Sequence, residues 1–157
     1  MIKRTLKPIL CVLSISAAMG LAQAASNFSG EWKMNIAKSD FGPAPAPEEL
    51  TRSIKHSDPS LEIKTHQKGA QGEISTELKY TTDGKPCVNK VNGSDAKGTA
   101  KWDGDNLIIE SIREFQGMQL QSKETWILSD GGKTLTINNH IAVPQGEFDL
   151  KLVLEKQ

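Results

Sequence analysis

Polar side chains recur at alternate positions of short apolar segments, so that extended chain would turn them to the same face as the apolar ones. The set comprises Arg52, His56, Gln67, Tyr80, Glu124 and Asn139, with Arg113 added if Leu107 and Ile109 share its face. A buried arginine needs a carboxylate partner. Glu124 or a ligand carboxylate would supply it, so an internal ion pair, a polar rim and a ligand site are all open interpretations.

Other site chemistries find little support in the sequence. The histidines His56, His66 and His140 do not fall at metal-ligand spacing, so no metal site is predicted. The stretch Asp103–Asn106 resembles the start of a calcium loop but lacks the later glycine and glutamate, which favours a simple turn. There is no G-x-S-x-G motif, and Cys87 has no neighbouring base. The sequence therefore predicts no enzyme and no cofactor.

The first 24 residues have the three parts of a secretory signal peptide. Three basic residues precede the apolar stretch Pro8–Leu21, and the small-residue sequence Ala22-Gln23-Ala24 follows it. The apolar run is shorter than the ~20 residues that a membrane-spanning helix needs. We therefore expect a signal peptide over 1–24 and a single exported domain over 25–157, periplasmic or extracellular, with no membrane span after cleavage.

Cleavage there would leave 133 residues, enough for one domain with a core. Their 16 basic and 19 acidic residues give a formal charge of −3, without the basic patch typical of nucleic-acid or membrane binding. Cys87 would be the single cysteine, which excludes an internal disulfide and favours a packed thiol. We expect a monomer.

The mature chain opens with an amphipathic strand. In the sequence Asn27–Phe41, one face of an extended chain would carry Phe28, Gly30, Trp32, Met34 and Ile36. Three prolines at alternate positions in the following stretch Ala37–Glu49 exclude both a helix and a central strand. That stretch is predicted to be an extended connector.

From Leu50 onward, segments of period two alternate with turn signals such as Thr82-Asp83-Gly84-Lys85. They predict an all-β fold of about 8 to 10 strands. Short connections favour an antiparallel up-and-down meander. Closure into a barrel would cover its apolar face and remove the sheet edges, with an open sandwich as the rival.

The sequence Gly30-Glu31-Trp32, preceded by Phe28 and followed by a β-meander, resembles the opening of the lipocalin and fatty-acid-binding protein (calycin) superfamily. The resemblance implies a barrel whose closed end is plugged by Trp32, with a basic residue from a late strand, Lys151 or Lys156, packed over it. The helical lid and the C-terminal helix found in parts of the superfamily have no counterpart here. Longer stretches, including GEWKMNIAKSDFG and ETWILSDGGKTLTI, resemble a group of small exported bacterial lipocalin-like proteins, which brings no known activity with it.

Three functions are consistent with these features. The first is binding of a small apolar or amphipathic molecule, with small residues giving space and polar ones setting polarity: Gly98, Ala100, Arg52, His56, Tyr80, Arg113, Glu124 and Asn139. The second is a protein-binding or inhibitor module that acts through the barrel rim and the proline-rich segment Gly42–Pro47. The third is an enzyme of unrecognised type.

Overall fold

The computed structural model describes residues 26–70 and 72–157, so the predicted signal peptide lies outside the described residues and stays a prediction. Ten strands make up most of this part of the chain: β1 Gly30–Met34, β2 Glu49–Ser57, β3 Ser60–Gly69, β4 Gly72–Thr81, β5 Cys87–Val91, β6 Ser94–Asp103, β7 Asn106–Phe115, β8 Met118–Ser129, β9 Thr134–Val143 and β10 Gly146–Lys156. Two single-turn 3₁₀ helices, Ile36–Lys38 and Asp130–Gly132, complete the elements. Over these residues, no helix has the length and apolar character needed to cross a membrane.

The strands form one antiparallel sheet in the order β4-β3-β2-β1-β10-β9-β8-β7-β6-β5. Strands that follow one another in the sequence are hydrogen-bonded to each other, except β4 and β5. In addition, β1 pairs with β10. This confirms the predicted up-and-down meander and its folding into a barrel, which is nearly closed. The barrel covers the apolar face that all ten strands share.

The seam between β4 and β5 is bridged by a side chain instead of a backbone ladder. The Oδ1 atom of Asn89 accepts the Lys79 backbone N–H at 2.7 Å, and the Nδ2 atom donates to the Lys79 carbonyl at 3.0 Å. Asn89 is buried, so its amide satisfies backbone groups that water would otherwise have to reach.

The connector between β1 and β2 is anchored at both ends. Asn35 caps the helix Ile36–Lys38, which turns Ile36 out into solvent; the predicted place of Ile36 on the inner face of β1 is therefore wrong. Asp40 then bridges to Lys151 of β10, and Pro47 is buried before β2 begins.

The barrel has two halves of different character. In the closed half, towards the turns at 57–60, 82–86, 103–106 and 129–133, inward side chains are almost fully buried: Phe28, Trp32, Leu61, Leu107, Trp126, Leu135, Ile137 and Leu154. In the open half, towards the turns at 69–72, 91–94, 115–118 and 143–146, inward apolar side chains are only partly covered: Ile74, Phe115, Met118, Leu120, Ile141, Phe148 and Leu150. Solvent therefore reaches the interior from the open end.

Candidate functional site

The closed end is plugged by Trp32, as the resemblance implied. Its ring is buried and its Nε1–H donates to the Phe28 carbonyl at 2.9 Å. The Nζ atom of Lys156 lies 5.4 Å from the ring centroid, within cation–π range. A Cβ atom on Gly30 would meet the Lys156 side chain at 2.5 Å. Lys156 is thus the late basic residue over the tryptophan, and Lys151 is not.

His56 belongs to this closed half. Its Nδ1 atom accepts the Phe28 backbone N–H at 3.3 Å, so Nε2 carries the proton that points to Asp58 Oδ1, 2.9 Å away. The same carboxylate oxygen accepts hydrogen bonds from Thr82 and Trp102. Burial alone would raise the pKa of Asp58, but the hydrogen bonds from Thr82, His56 and Trp102 outweigh it and lower that pKa. These contacts tie the barrel's turns together and leave His56 far from the open half.

Arg52 and Glu124 form an internal ion pair at the floor of the barrel interior. The Arg52 Nη1 and Glu124 Oε2 atoms are 3.9 Å apart, and the two side chains are 12% and 21% exposed. The Arg52 Cζ atom lies 5.6 Å from the ring centroid of Trp126. The Nε1–H of Trp126 donates to Glu124 Oε2 at 2.7 Å. Of the three interpretations that the sequence left open, the internal ion pair is therefore the one that Arg52 forms.

The space predicted beside Gly98 and Ala100 is occupied by protein. Ala100 is fully buried, and a Cβ atom on Gly98 would lie 2.6 Å from the Glu110 carbonyl and 3.1 Å from the Tyr80 ring. Burial and the nearby Glu124 carboxylate raise the pKa of Tyr80 to about 12, so its hydroxyl stays protonated. The small residues make room for the tyrosine ring.

What remains beside that ring is a small void of about 50 Å³, called here the polar well. It is lined by Arg52, Ile63, Leu78, Tyr80, Ile109, Ser111, Ser122, Glu124 and Trp126. Ligand pockets are usually ~300 Å³ or larger. The well alone therefore accommodates one polar group, and any larger ligand must extend into the open half.

Arg113 is the polar residue that faces the open half. Leu107 and Ile109 on the same strand are buried inside the barrel, which settles the facing that the sequence left open and turns Arg113 inward. Its guanidinium lies 5.4 Å from the Phe115 ring centroid. Burial lowers the pKa of Arg113, and no carboxylate pairs with it within 26–70 and 72–157. Phe115 is 41% exposed, so it lies at the open end of the barrel and not in the core.

The remaining predicted site residue, Asn139, accepts a hydrogen bond from Ser122 at 2.7 Å and so lies on the inner wall just above the polar well. Cys87 is a half-buried free thiol opposite Gly98. Among the described residues, no three His, Cys, Asp or Glu side chains are grouped in a way that could hold a metal ion. The binding roles assigned from the sequence stay predictions.

A wider depression of about 560 Å³ lies on the outer surface of β6 to β9. Its walls include Glu110 and Lys123, which pair with each other at 3.7 Å, and His140, which contacts Glu147 at 3.6 Å. These groups are about half exposed and already compensated. This surface lacks the partly buried, uncompensated charge found at Arg113.

No protein-family model matches the sequence, and no curated protein sequence matches it either. Similar structures were found. A secretory abundant heat soluble (SAHS) protein from Ramazzottius varieornatus is 12% identical, with a TM-score of 0.61 over 86% of this chain and 98% of that one. The SAHS protein 4 of the same organism is 14% identical, with a TM-score of 0.59 over 87% and 99%.

The ileal bile acid-binding protein of zebrafish, solved in complex with cholic acid, is 18% identical, with a TM-score of 0.58 over 83% of this chain and 98% of that one. At such identities the likeness concerns the fold alone. Together with the ten-stranded nearly closed meander and the Trp32 plug, it confirms the expected architecture. The chain therefore has the same lipocalin-like barrel fold as these three structures.

Proposed function

We propose that this protein is an exported binding protein for a small amphipathic anion, which it holds in the open half of the barrel. The observation that carries the proposal is Arg113, an inward, half-buried guanidinium without a carboxylate partner among the described residues. Around it lie apolar side chains that point inward yet remain partly exposed. Such a surface complements a molecule with an acidic head and an apolar body.

The energetics favour an anionic head at this position. Removing a guanidinium from water without a counter-charge is costly, and a ligand carboxylate, sulfonate or phosphate would offset that cost through charge-assisted, often bidentate hydrogen bonds. Arg52 has less need of an anionic ligand group, because the Glu124 carboxylate already lies 3.9 Å from it. The cholic acid bound by the zebrafish neighbour is itself an amphipathic anion, which supports the ligand class.

Calorimetric titration with decanoate tests the proposal. We expect saturable binding to the wild type and at least a tenfold loss of affinity in Arg113→Met, because the charged hydrogen bond is lost while the side-chain length is retained. Lys97→Met is the matched control. It removes a cation from the neighbouring strand at nearly the same height, but on the outer face, and should leave the affinity unchanged.

Two results would overturn the proposal. One is the absence of decanoate binding by the folded wild-type protein. The other is an equal loss in the Arg113 and Lys97 variants, which would mean that the anion is attracted by the overall charge and not by an interior site. Melting temperatures of both variants establish that they are folded.

Export is part of this proposal and has its own readout. The signal-peptide pattern predicts a mature chain that begins at Ala25, only three residues before the buried Phe28. Amino-terminal sequencing of protein from the extracytoplasmic fraction should give Ala25. Recovery of the intact chain from the cytoplasm alone would contradict export.

A second candidate, binding of a protein partner, rests on the connector. Its middle, with Pro43 and Pro45, is exposed, while Asp40 and the buried Pro47 hold its ends in place. A preformed proline-rich segment loses little entropy when it binds. Replacing Pro43-Ala44-Pro45 by Gly-Ser-Gly should abolish capture of a partner without lowering the melting temperature. Unchanged capture would exclude this surface.

A further inference from the structure

The polar well differs from Arg113 in its charge balance. Among the described residues that line it, Arg52 is the one cation and Glu124 the one carboxylate, so its net charge is close to zero. Tyr80, Ser111 and Ser122 add hydroxyl groups to the same wall. An occupant of the well therefore meets hydrogen-bond donors and acceptors but no excess of either charge.

The well also contains unsatisfied donors. The Nε and Nη1 atoms of Arg52 are buried without a hydrogen-bond partner among the described residues. Leaving buried donors of a charged group unpaired costs free energy, so an oxygen atom that accepts from them would bind favourably. The void of about 50 Å³ exceeds the ~10 to 15 Å³ that a cavity needs to hold one water molecule, so a hydroxyl group fits in it.

A carboxylate would be a poor occupant of the same space. It would accept from Arg52, but it would also face the Glu124 carboxylate, whose Oε2 atom lies 3.9 Å from the same guanidinium. Like charges in a desolvated site repel strongly. A hydroxyl group avoids the repulsion because it accepts from Arg52 and donates to Glu124.

The two polar positions lie within reach of one short ligand. Ser111 lines the well, and Arg113 lies two residues further along β7, with its guanidinium 5.4 Å from the Phe115 ring centroid. At ~3.4 Å per residue, Ser111 is ~7 Å along the strand from Arg113 and ~14 Å from Phe115. A ligand chain of about ten carbon atoms is long enough to cover this span.

Building on the proposed function, we propose that the ligand is polar at both ends, with an anionic group at Arg113 and an uncharged hydroxyl group in the polar well between Arg52 and Glu124. The ligand class is then an amphipathic hydroxy acid whose hydroxyl lies far from its acidic group. Simple fatty acids and dicarboxylic acids fit the same barrel less well, for different reasons. The first leave the Arg52 donors unpaired, and the second bring a carboxylate towards Glu124.

Three ligands with ten carbon atoms each separate these cases in calorimetric titrations of the wild-type protein: ω-hydroxydecanoate, decanoate and decanedioate. We expect ω-hydroxydecanoate to bind about tenfold more tightly than decanoate, since one added hydrogen bond to a charged group has this effect. Decanedioate should be the weakest. Glu124→Gln should raise the affinity for decanedioate at least tenfold, because the amide oxygen still accepts from Trp126 but does not repel the second carboxylate.

The outcomes separate the two proposals. Binding of decanoate with equal or weaker binding of the hydroxy acid would overturn this inference and leave the proposed function standing. The same holds if decanedioate binds the wild type as tightly as the hydroxy acid. If none of the three ligands binds, both proposals fail. The wild-type order is decisive even if Glu124→Gln does not fold.

Discussion

The two halves of the barrel are built from the same strands but are packed differently. On β7, Leu107 is fully buried in the closed half, while Phe115 at the other end of the strand is 41% exposed. On β8, Trp126 is fully buried, and Leu120 is only partly covered. The alternation of inward and outward residues is continuous along both strands, so the difference lies in what fills the interior at each level.

Aromatic packing explains that difference. The Phe28 ring stacks on Trp102 at 5.8 Å and meets Trp126 edge-on at 5.5 Å, with Trp32 next to them in the core. Large rings concentrate the buried apolar area, and hence the stability, in the closed half. The open half can then leave its inward side chains uncovered. A fold divided in this way can bind a ligand without having to repack its core.

The largest expected effect is at the plug. Trp32→Ala should lower the free energy of unfolding by ~3 to 5 kcal/mol, because it leaves a large cavity in the closed half. Phe115→Ala removes an inward aromatic ring from the open half and should cost less than about 1 kcal/mol. Urea unfolding of both variants measures the two values. Similar losses would mean that the halves do not differ in packing.

A smaller effect is expected beside Tyr80. Gly98→Val should cost ~1 to 3 kcal/mol, because the added atoms collide with the Glu110 carbonyl and the tyrosine ring. Thr99, the next residue on β6, faces outward and serves as the control. Thr99→Val should change the free energy of unfolding by no more than about 0.5 kcal/mol. If Gly98→Val were neutral, the space beside Gly98 would be open after all, as the sequence first suggested.

The smallest effect depends on pH. Because the pKa of Asp58 is lowered in the folded protein, its contribution is complete above the unfolded-state pKa of ~3.9 and is lost as the pH falls through the folded value. Asp58→Asn should therefore have a lower melting temperature than the wild type above about pH 5. The difference in melting temperature should become smaller as the pH falls. Thermal unfolding across this range gives the measurement. A gap independent of pH would show that the carboxylate charge does not matter there.

Much of this architecture could be predicted from period-two patterns. They correctly turn Arg52, Tyr80 and Glu124 inward, because alternation in a strand fixes the face of every side chain from its position alone. The run Leu107–Ile109 was ambiguous, since three successive apolar residues fit either face, and only the pairing with β6 and β8 resolves it.

What alternation cannot give is depth along the barrel axis. His56 and Arg52 share a face of β2, yet His56 is hydrogen-bonded to the closed-end turns and Arg52 lines the polar well. Likewise, the small side chain of Gly98 led us to expect an empty space beside it. The Tyr80 ring fills that space from β4, on the other side of the seam. Both outcomes depend on contacts between strands distant in sequence, which a single sequence does not display.

The central claim is that an amphipathic anion binds in the open half, beside Arg113. The most direct measurement is a two-dimensional NMR titration of the folded protein with decanoate. We expect saturable shift changes at open-half residues such as Arg113, Phe115 and Leu120, with the indole signals of Trp32 and Trp102 little affected. Changes confined to the outer surface of β6 to β9, or no saturable changes at all, would contradict it.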